Sequence, residues 1–212
     1  MVKCGRPCKG DEQLSRDRLL DSANRLFLEH GYGNLNMETI ARDAHVSMRT
    51  IYNEFGGKAG LFGALIRRCS DQFIHSLSDE GPLEEVLLAF ARRFIFRITR
   101  PDVLRLRAIL IGESTRFPDL ATQFYEQGPR RTLDYLTEFF RQQQSAARII
   151  HVDPAFLADQ FISALRGERL QRLQLGLETT PDVDEIEIWV QQSTQLFLQG
   201  CLINTATKNY SN

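Results

Sequence analysis

Residues 36–62, NMETIARDAHVSMRTIYNEFGGKAGLF, hold two helix starts separated by one short helix. Asn36 is an N-cap residue, and Glu38 places a negative charge in the first turn, where the helix dipole favours it. Met37, Ile40, Ala41 and Ala44 then follow the i, i+3, i+4, i+7 spacing of a half-buried helix that should end near Ala44. Ser47 can cap a second helix. Val46 before it and Ile51 four positions after it have the spacing of a hydrophobic staple, which fixes the angle of entry. Two helices with about two residues between them must turn sharply, which makes a helix-turn-helix.

At roughly 100° per residue, Ile51 and Phe55 share one side of the second helix, while Met48, Arg49, Tyr52 and Asn53 gather on the other. The apolar pair is expected to anchor the helix and leave the mixed face outward. A guanidinium can fork onto a guanine edge, an amide can pair with adenine or a phosphate, and a phenol suits a backbone phosphate. The face therefore reads as one built for double-stranded DNA. Upstream, Leu19, Ala23, Leu26 and Phe27 form an apolar stripe within residues 15–30, with Gly31 and Gly33 as the stop, completing a three-helix domain. Gly56, Gly57 and Lys58 do not make a nucleotide loop, because the upstream glycine spacing and the following Ser or Thr are missing.

The 212 residues suit one small DNA-binding unit and a larger domain, and 42% hydrophobic content can fill a core. Residues 1–60 hold nine Lys/Arg against eight Asp/Glu, and residues 61–212 hold seventeen against nineteen. With a pI near 6.4 there is no general basic coat, so DNA affinity must come from the local placement of a few cations. Lys3, Arg6 and Lys9 surround Gly5-Arg6-Pro7 and read either as a minor-groove arm or as a solubilising tail. Cys4, Cys8, Cys69 and Cys201 lack metal spacing, so no metal is expected and free thiols are the default, with Cys4 and Cys8 a candidate redox pair. His30, His45, His75 and His151 lie far apart without a motif, so neither a catalytic residue nor a cofactor is expected. No signal peptide precedes the hairpin and no apolar run approaches the ~20 residues that cross a bilayer. The expectation is a cytoplasmic protein with no membrane partner.

Past the hairpin the periodicity is helical and the breaks fall at Gly or Pro, which predicts helices over 58–78, 82–99, 102–114, 118–127, 129–148, 154–175 and 181–203. No strand pattern of useful length appears. The expected fold is all-α with about ten helices. Its parts are a flexible basic arm 1–10, a helix-turn-helix domain 11–57, a helical regulatory and dimerisation domain 58–204, and a polar tail 205–212. On the last two long helices, Ile186, Trp189, Val190, Phe197 and Cys201 make one stripe, and Phe156, Gln160, Phe161, Ala164, Leu165 and Gly167 make a broad face suited to association.

The hairpin resembles the DNA-binding domain of the tetracycline-repressor (TetR) family of bacterial regulators, whose run is close to I-A-x-x-A-G-V-S-x-G-T-L-Y-x-H-F-x-x-K-x-x-L. Thr39, Ile40, Ala41, Ala44, Val46, Ser47, Thr50, Tyr52, Phe55, Lys58 and Leu61 carry the likeness. His45 replaces the turn glycine, and His is among the residues that visit positive φ more readily than most. Arg49 stands where glycine is frequent and adds a base contact. Glu54 stands where His or Tyr approaches phosphate, so that contact is lost. The resemblance implies that Thr39, Thr50, Tyr52 and Lys58 contact phosphates and that Arg49 and Asn53 read bases, with Ser47 and Met48 completing the DNA-facing set.

Residues 116–136, RFPDLATQFYEQGPRRTLDYL, and 151–168, HVDPAFLADQFISALRGE, resemble the C-terminal domain of the AefR-like branch of that family. The likeness implies a homodimer closed by the last two helices, with Phe161, Leu165, Trp189, Val190 and Phe197 as the candidate contacts. It also implies a pocket for a small apolar or amphipathic effector, with Phe94, Ile98, Leu106, Leu110, Phe124, Tyr125, Phe139 and Phe161 as candidate lining. The implied activity is repression of a palindromic operator, relieved when the effector binds and the helix from Lys58 tilts. The alternative is a helical ligand-binding or scaffold protein whose helix-turn-helix does not read DNA.

Overall fold

The computed structural model describes residues 9–77 and 81–202. The elements are α1 Lys9–Asn34, α2 Met37–Asp43, α3 Met48–Phe55, α4 Lys58–Ile74, α5 Leu83–Ile98, α6 Pro101–Glu113, α7 Pro118–Tyr125, α8 Arg131–Ser145, α9 Pro154–Gln174 and α10 Val183–Cys201. A π-helical turn, Glu126–Arg130, joins α7 to α8. The only extended pairing among the described residues is an isolated bridge between Ile149 and Leu202, so the fold is all-α. The arm carrying Cys4 and Cys8, and the polar tail, lie outside the described residues.

Most helix ends follow local chemistry. α1 breaks at Gly31, whose φ of 77° and ψ of 171° leave the helical region. α10 opens at Val183 with a reciprocal cap: the Asp182 carboxylate accepts from the Glu185 N–H at 2.9 Å, and the Glu185 carboxylate accepts from the Asp182 N–H at 3.0 Å. α8 stops at Ser145, short of the expected residue 148. There the buried Gln144 donates to the carbonyls of Ile150 and Val152, and the Gln143 side-chain Oε1 accepts from the Arg148 guanidinium at 3.0 Å. These bonds hold a loop in which Ala147 takes φ 54°. The expected break at Gly128 is instead the π turn that carries Pro129. Gly128 is buried, and a Cβ there would stand 2.8 Å from the Ile66 side chain.

The chain divides into two compact units, residues 1–68 with 105–128, and residues 69–104 with 129–212. In the first, Leu19, Phe27, Ile40 and Ile51 share one core with Leu61, Phe62, Leu106 and Leu120. From periodicity alone the second domain is expected to open at residue 58. By contacts, the start of α4, most of α6 and all of α7 belong with the N-terminal helices, because their leucines complete that core. In the second unit, α8 packs on α9 and α10 packs on α5 and α9. Phe90, Phe140, Phe161, Leu165 and Val190 are fully enclosed there.

Candidate nucleic-acid interface

Asn36 caps α2 by accepting from the Thr39 N–H at 2.8 Å, and Ser47 caps α3 by accepting from the Thr50 N–H at 3.0 Å. The Ser47 and Thr50 hydroxyls also bond to each other at 2.8 Å. Between the helices His45 takes φ 56°, a left-handed conformation at the tight turn. α3 closes at Gly56, whose φ of 74° lets its N–H return to the Tyr52 carbonyl at 2.9 Å. These local bonds give α3 eight residues with fixed ends.

Its inner side is set by Ile51, which is fully buried, and by Phe55, packed against the same core. Arg49, Tyr52 and Asn53 are exposed on the other side, with Met48 and Thr50 half-buried beside them. Tyr52 shows 52% of its surface, which leaves its ring and hydroxyl open to a partner. Thr39 is half-buried and Ser47 exposed, both at helix starts whose N–H groups suit phosphate. The structure thus places Ser47, Met48, Arg49, Thr50, Tyr52 and Asn53 on one short element.

Lys58 differs from a free surface lysine. Its Nζ lies 4.5 Å from the centre of the Tyr32 ring. Burial pushes its pKa down, and the charge of Glu113 opposes that shift. To reach a phosphate the ammonium has to leave the ring.

Two features escaped the sequence reading. Glu54 forms an ion pair with Arg16 at 3.6 Å, and the Arg16 guanidinium lies 4.7 Å from the centre of the Phe55 ring. Glu54 thereby has a cation from α1 beside it at the end of α3. Arg25 bonds Asp43 at 2.6 Å and ties α1 to α2. The Asp43 carboxyl is held below its ordinary pKa first by a hydrogen bond from Ser22 and then by Arg25.

The residues expected at the effector pocket separate. Phe94, Phe139 and Phe161 are buried in the core of the second unit, where Ile98 packs at the margin. Leu106 and Leu110 are buried in the core of the first, Phe124 packs against it, and Tyr125 is largely exposed. One open cleft of about 210 Å³ is lined by Arg92, Arg93, Phe96, Val183, Ile186 and Glu187. Another of about 450 Å³ is lined by Glu84, Gln195, Leu198, Gln199 and Leu202. Neither cleft contains an expected lining residue.

The residues expected at the dimer contact lie in or against the core of the second unit. Phe161, Leu165 and Val190 have no exposed surface, Trp189 is 9% exposed, and Phe197 packs against the same core. They hold the chain's own helices together. The sides of α9 and α10 that remain open carry Phe156, Gln160, Ser163 and Ala164 on the former, and Ile188, Gln192, Gln195 and Leu196 on the latter.

Among the described residues, no helix is long and apolar enough to cross a membrane. Residues 19–65 match the family described as bacterial regulatory proteins of the tetR family, and residues 85–200 match the AefR-like transcriptional repressor C-terminal domain. The HTH-type transcriptional repressor ComR of Escherichia coli (strain K12) is 33% identical over 196 residues, covering 84% of this chain and 93% of that protein. The solved structure of the flavonoid-responsive regulator FrrA is 32% identical, with a TM-score of 0.71 over 91% of this chain and all of that one. A TetR-family regulator from Mesorhizobium loti MAFF303099 shares the fold, with a TM-score of 0.76 at 24% identity and coverage of 93% of this chain and 100% of that one. A reading helix with both ends capped and matches to both halves of the chain together make this protein a member of the TetR family, a DNA-binding transcriptional regulator with an AefR-like C-terminal domain and not an enzyme.

Proposed function

We propose that the chain is a homodimeric repressor that binds a palindromic operator and releases it when a small apolar or amphipathic effector occupies its C-terminal helices. The observation that carries this is the outer side of α3, where Arg49, Tyr52 and Asn53 stand free of the core while Ile51 is fully buried. In this reading Arg49 and Asn53 contact base edges and Met48 lies against a thymine methyl. Thr39, Ser47, Thr50, Tyr52 and Lys58 hold the backbone. Residues 11–57, with Lys58 at the head of α4, supply the DNA contacts, and residues 58–204 supply regulation and pairing. The repressor ComR and the flavonoid-responsive regulator FrrA support the direction of control and the response to a small molecule.

Pairing is assigned to the open sides of α9 and α10, centred on Ala164 and Leu196. A twofold axis would set two copies of α3 roughly 34–36 Å apart, one DNA turn, so the operator should be an inverted repeat.

Selection of bound duplexes from a random DNA pool tests the assignment. An inverted repeat should be enriched by the unmodified chain, and Arg49→Ala should weaken binding to it by about 1–3 kcal/mol while relaxing the preference at one base pair of each half-site. Failure to enrich any sequence would overturn the repressor reading and favour a helical scaffold.

A further inference from the structure

The turn between α1 and α2 is closed by a carboxylate from a distant part of the sequence. Gly31 leaves the helical region, and the next two backbone N–H groups both point at Glu113, the last residue of α6. Tyr32 donates to Oε1 at 2.9 Å and Gly33 donates to Oε2 at 2.5 Å. Successive amides turned toward one point form a concave anion receptor, and here the anion is the chain's own. Both glycines belong to the receptor. A Cβ at residue 31 would come within 2.8 Å of Oε1, and one at residue 33 within 2.9 Å of Oε2 and 3.0 Å of the Phe117 ring.

The carboxylate reaches further than its two bonds. The Tyr32 ring stacks on Phe27 at 5.6 Å and meets Phe62 and Phe117 edge-on at 5.9 and 5.2 Å. Lys58 lies over that same ring, and its ammonium is favoured by the Glu113 charge. Gly33 precedes the Asn36 cap, and Lys58 follows the Gly56 stop. Glu113 therefore fixes the backbone at the entry of the α2–α3 hairpin, and Tyr32, whose N–H it holds, carries Lys58 at the exit on its ring.

We propose that Glu113 is a positioning residue for DNA binding, whose carboxylate sets the angle at which the α2–α3 hairpin leaves its core, so that the place of the last turn of α6 is felt at the reading helix. The proposal rests on the assignment of α3 to DNA made above. A carboxylate that merely filled a turn would lower stability when removed but leave the folded molecules binding as before. A positioning carboxylate alters how folded molecules bind.

The test uses the full chain and the duplex selected by the unmodified protein. Glu113→Gln keeps the shape and one acceptor but removes the charge and turns an NH2 toward one of the two amides. Gly33→Ala keeps the carboxylate and crowds it. Operator Kd is measured with the active fraction fixed by stoichiometric titration, together with the slope of log affinity against log salt and the melting temperature. Both variants should bind about tenfold more weakly or worse. Their salt slope should also differ from that of the unmodified chain, because the place of Lys58 over the Tyr32 ring is no longer fixed.

Folded variants with the original Kd and slope, whatever their melting temperatures, would overturn the proposal. If Glu113→Gln shows no cooperative transition, Gly33→Ala decides by the same criteria. If neither variant folds, the carboxylate is a requirement of the fold and the positioning role is overturned. Arg49→Ala run alongside separates the two readings. Loss of binding in Arg49→Ala with none in the Glu113 and Gly33 variants sinks only this proposal, whereas an unmodified chain that selects no duplex sinks the DNA assignment with it.

Discussion

Ser47 organises the reading helix with one oxygen, which accepts from the Thr50 N–H and bonds the Thr50 hydroxyl. Ser47→Ala should lower stability by about 1 kcal/mol, the usual cost of a lost N-cap, measured by urea unfolding with an unchanged slope. Tyr32 gives a pH signature. It is 5% exposed, and burial first, then the charges of Asp119 and Glu113, raise its pKa above the ordinary phenol value. The folded state thus keeps a proton that the unfolded chain loses, so this contribution is fully present below about pH 10 and is lost as pH rises through the folded value. The melting temperature of the unmodified chain should fall more steeply above about pH 10 than that of Tyr32→Phe, and parallel curves would show that Tyr32 contributes nothing to the dependence. Caps such as Asn36 and Ser47 were legible in the sequence because partner and residue lie three positions apart. Arg16 on Glu54 and Phe55 was not, because the pairing depends on how α1 crosses α3, which no local spacing encodes.

At the scale of the element, α4 begins against the end of α3 with almost no clearance. A Cβ at Gly60 would run into the Phe55 carbonyl oxygen, and backbone cannot move aside as a side chain can. Gly60→Ala should cost at least the ~1–3 kcal/mol typical of overpacking, and part of the cost should appear as weaker operator binding by the folded fraction. Gly63 is the contrasting case, since its Cβ would meet the end of the Gln123 side chain, which can swing away. Gly63→Ala should therefore be tolerated better, and equal melting temperatures for the two variants would refute the argument. The helices themselves were legible from periodicity and from proline at their starts. The π turn at Glu126–Arg130 was not, because Gly128 is held against Ile66 of α4 by tertiary packing, which overrides the expected break.

For the whole molecule, the all-α class followed from the lack of any alternating pattern, but the assignment of faces on the last two helices did not. Apolar residues on α9 and α10 satisfy both the chain's own core and any partner, and a stripe in the sequence cannot say which. The coordinates divide them: Leu165 is enclosed, while Leu196 is 73% exposed. Leu196→Glu should leave the melting of the monomer nearly unchanged, shift sedimentation velocity toward a monomer, and weaken operator binding with it. Leu165→Ala should instead lower stability by about 2–5 kcal/mol. A dimer that survives Leu196→Glu would place the partner elsewhere.

Gly167 interrupts α9 with φ 49° and ψ −171°, a conformation that favours glycine, and nothing would crowd a Cβ there. The helix is therefore two rods with a joint, the second held by Arg169 and Arg172 to Glu178. A jointed rod cannot lie flush along a straight one for its full length. If copies of this chain meet through α9, both bend at the same joint, so each can follow the other only in the one register that brings the two joints into a matching place.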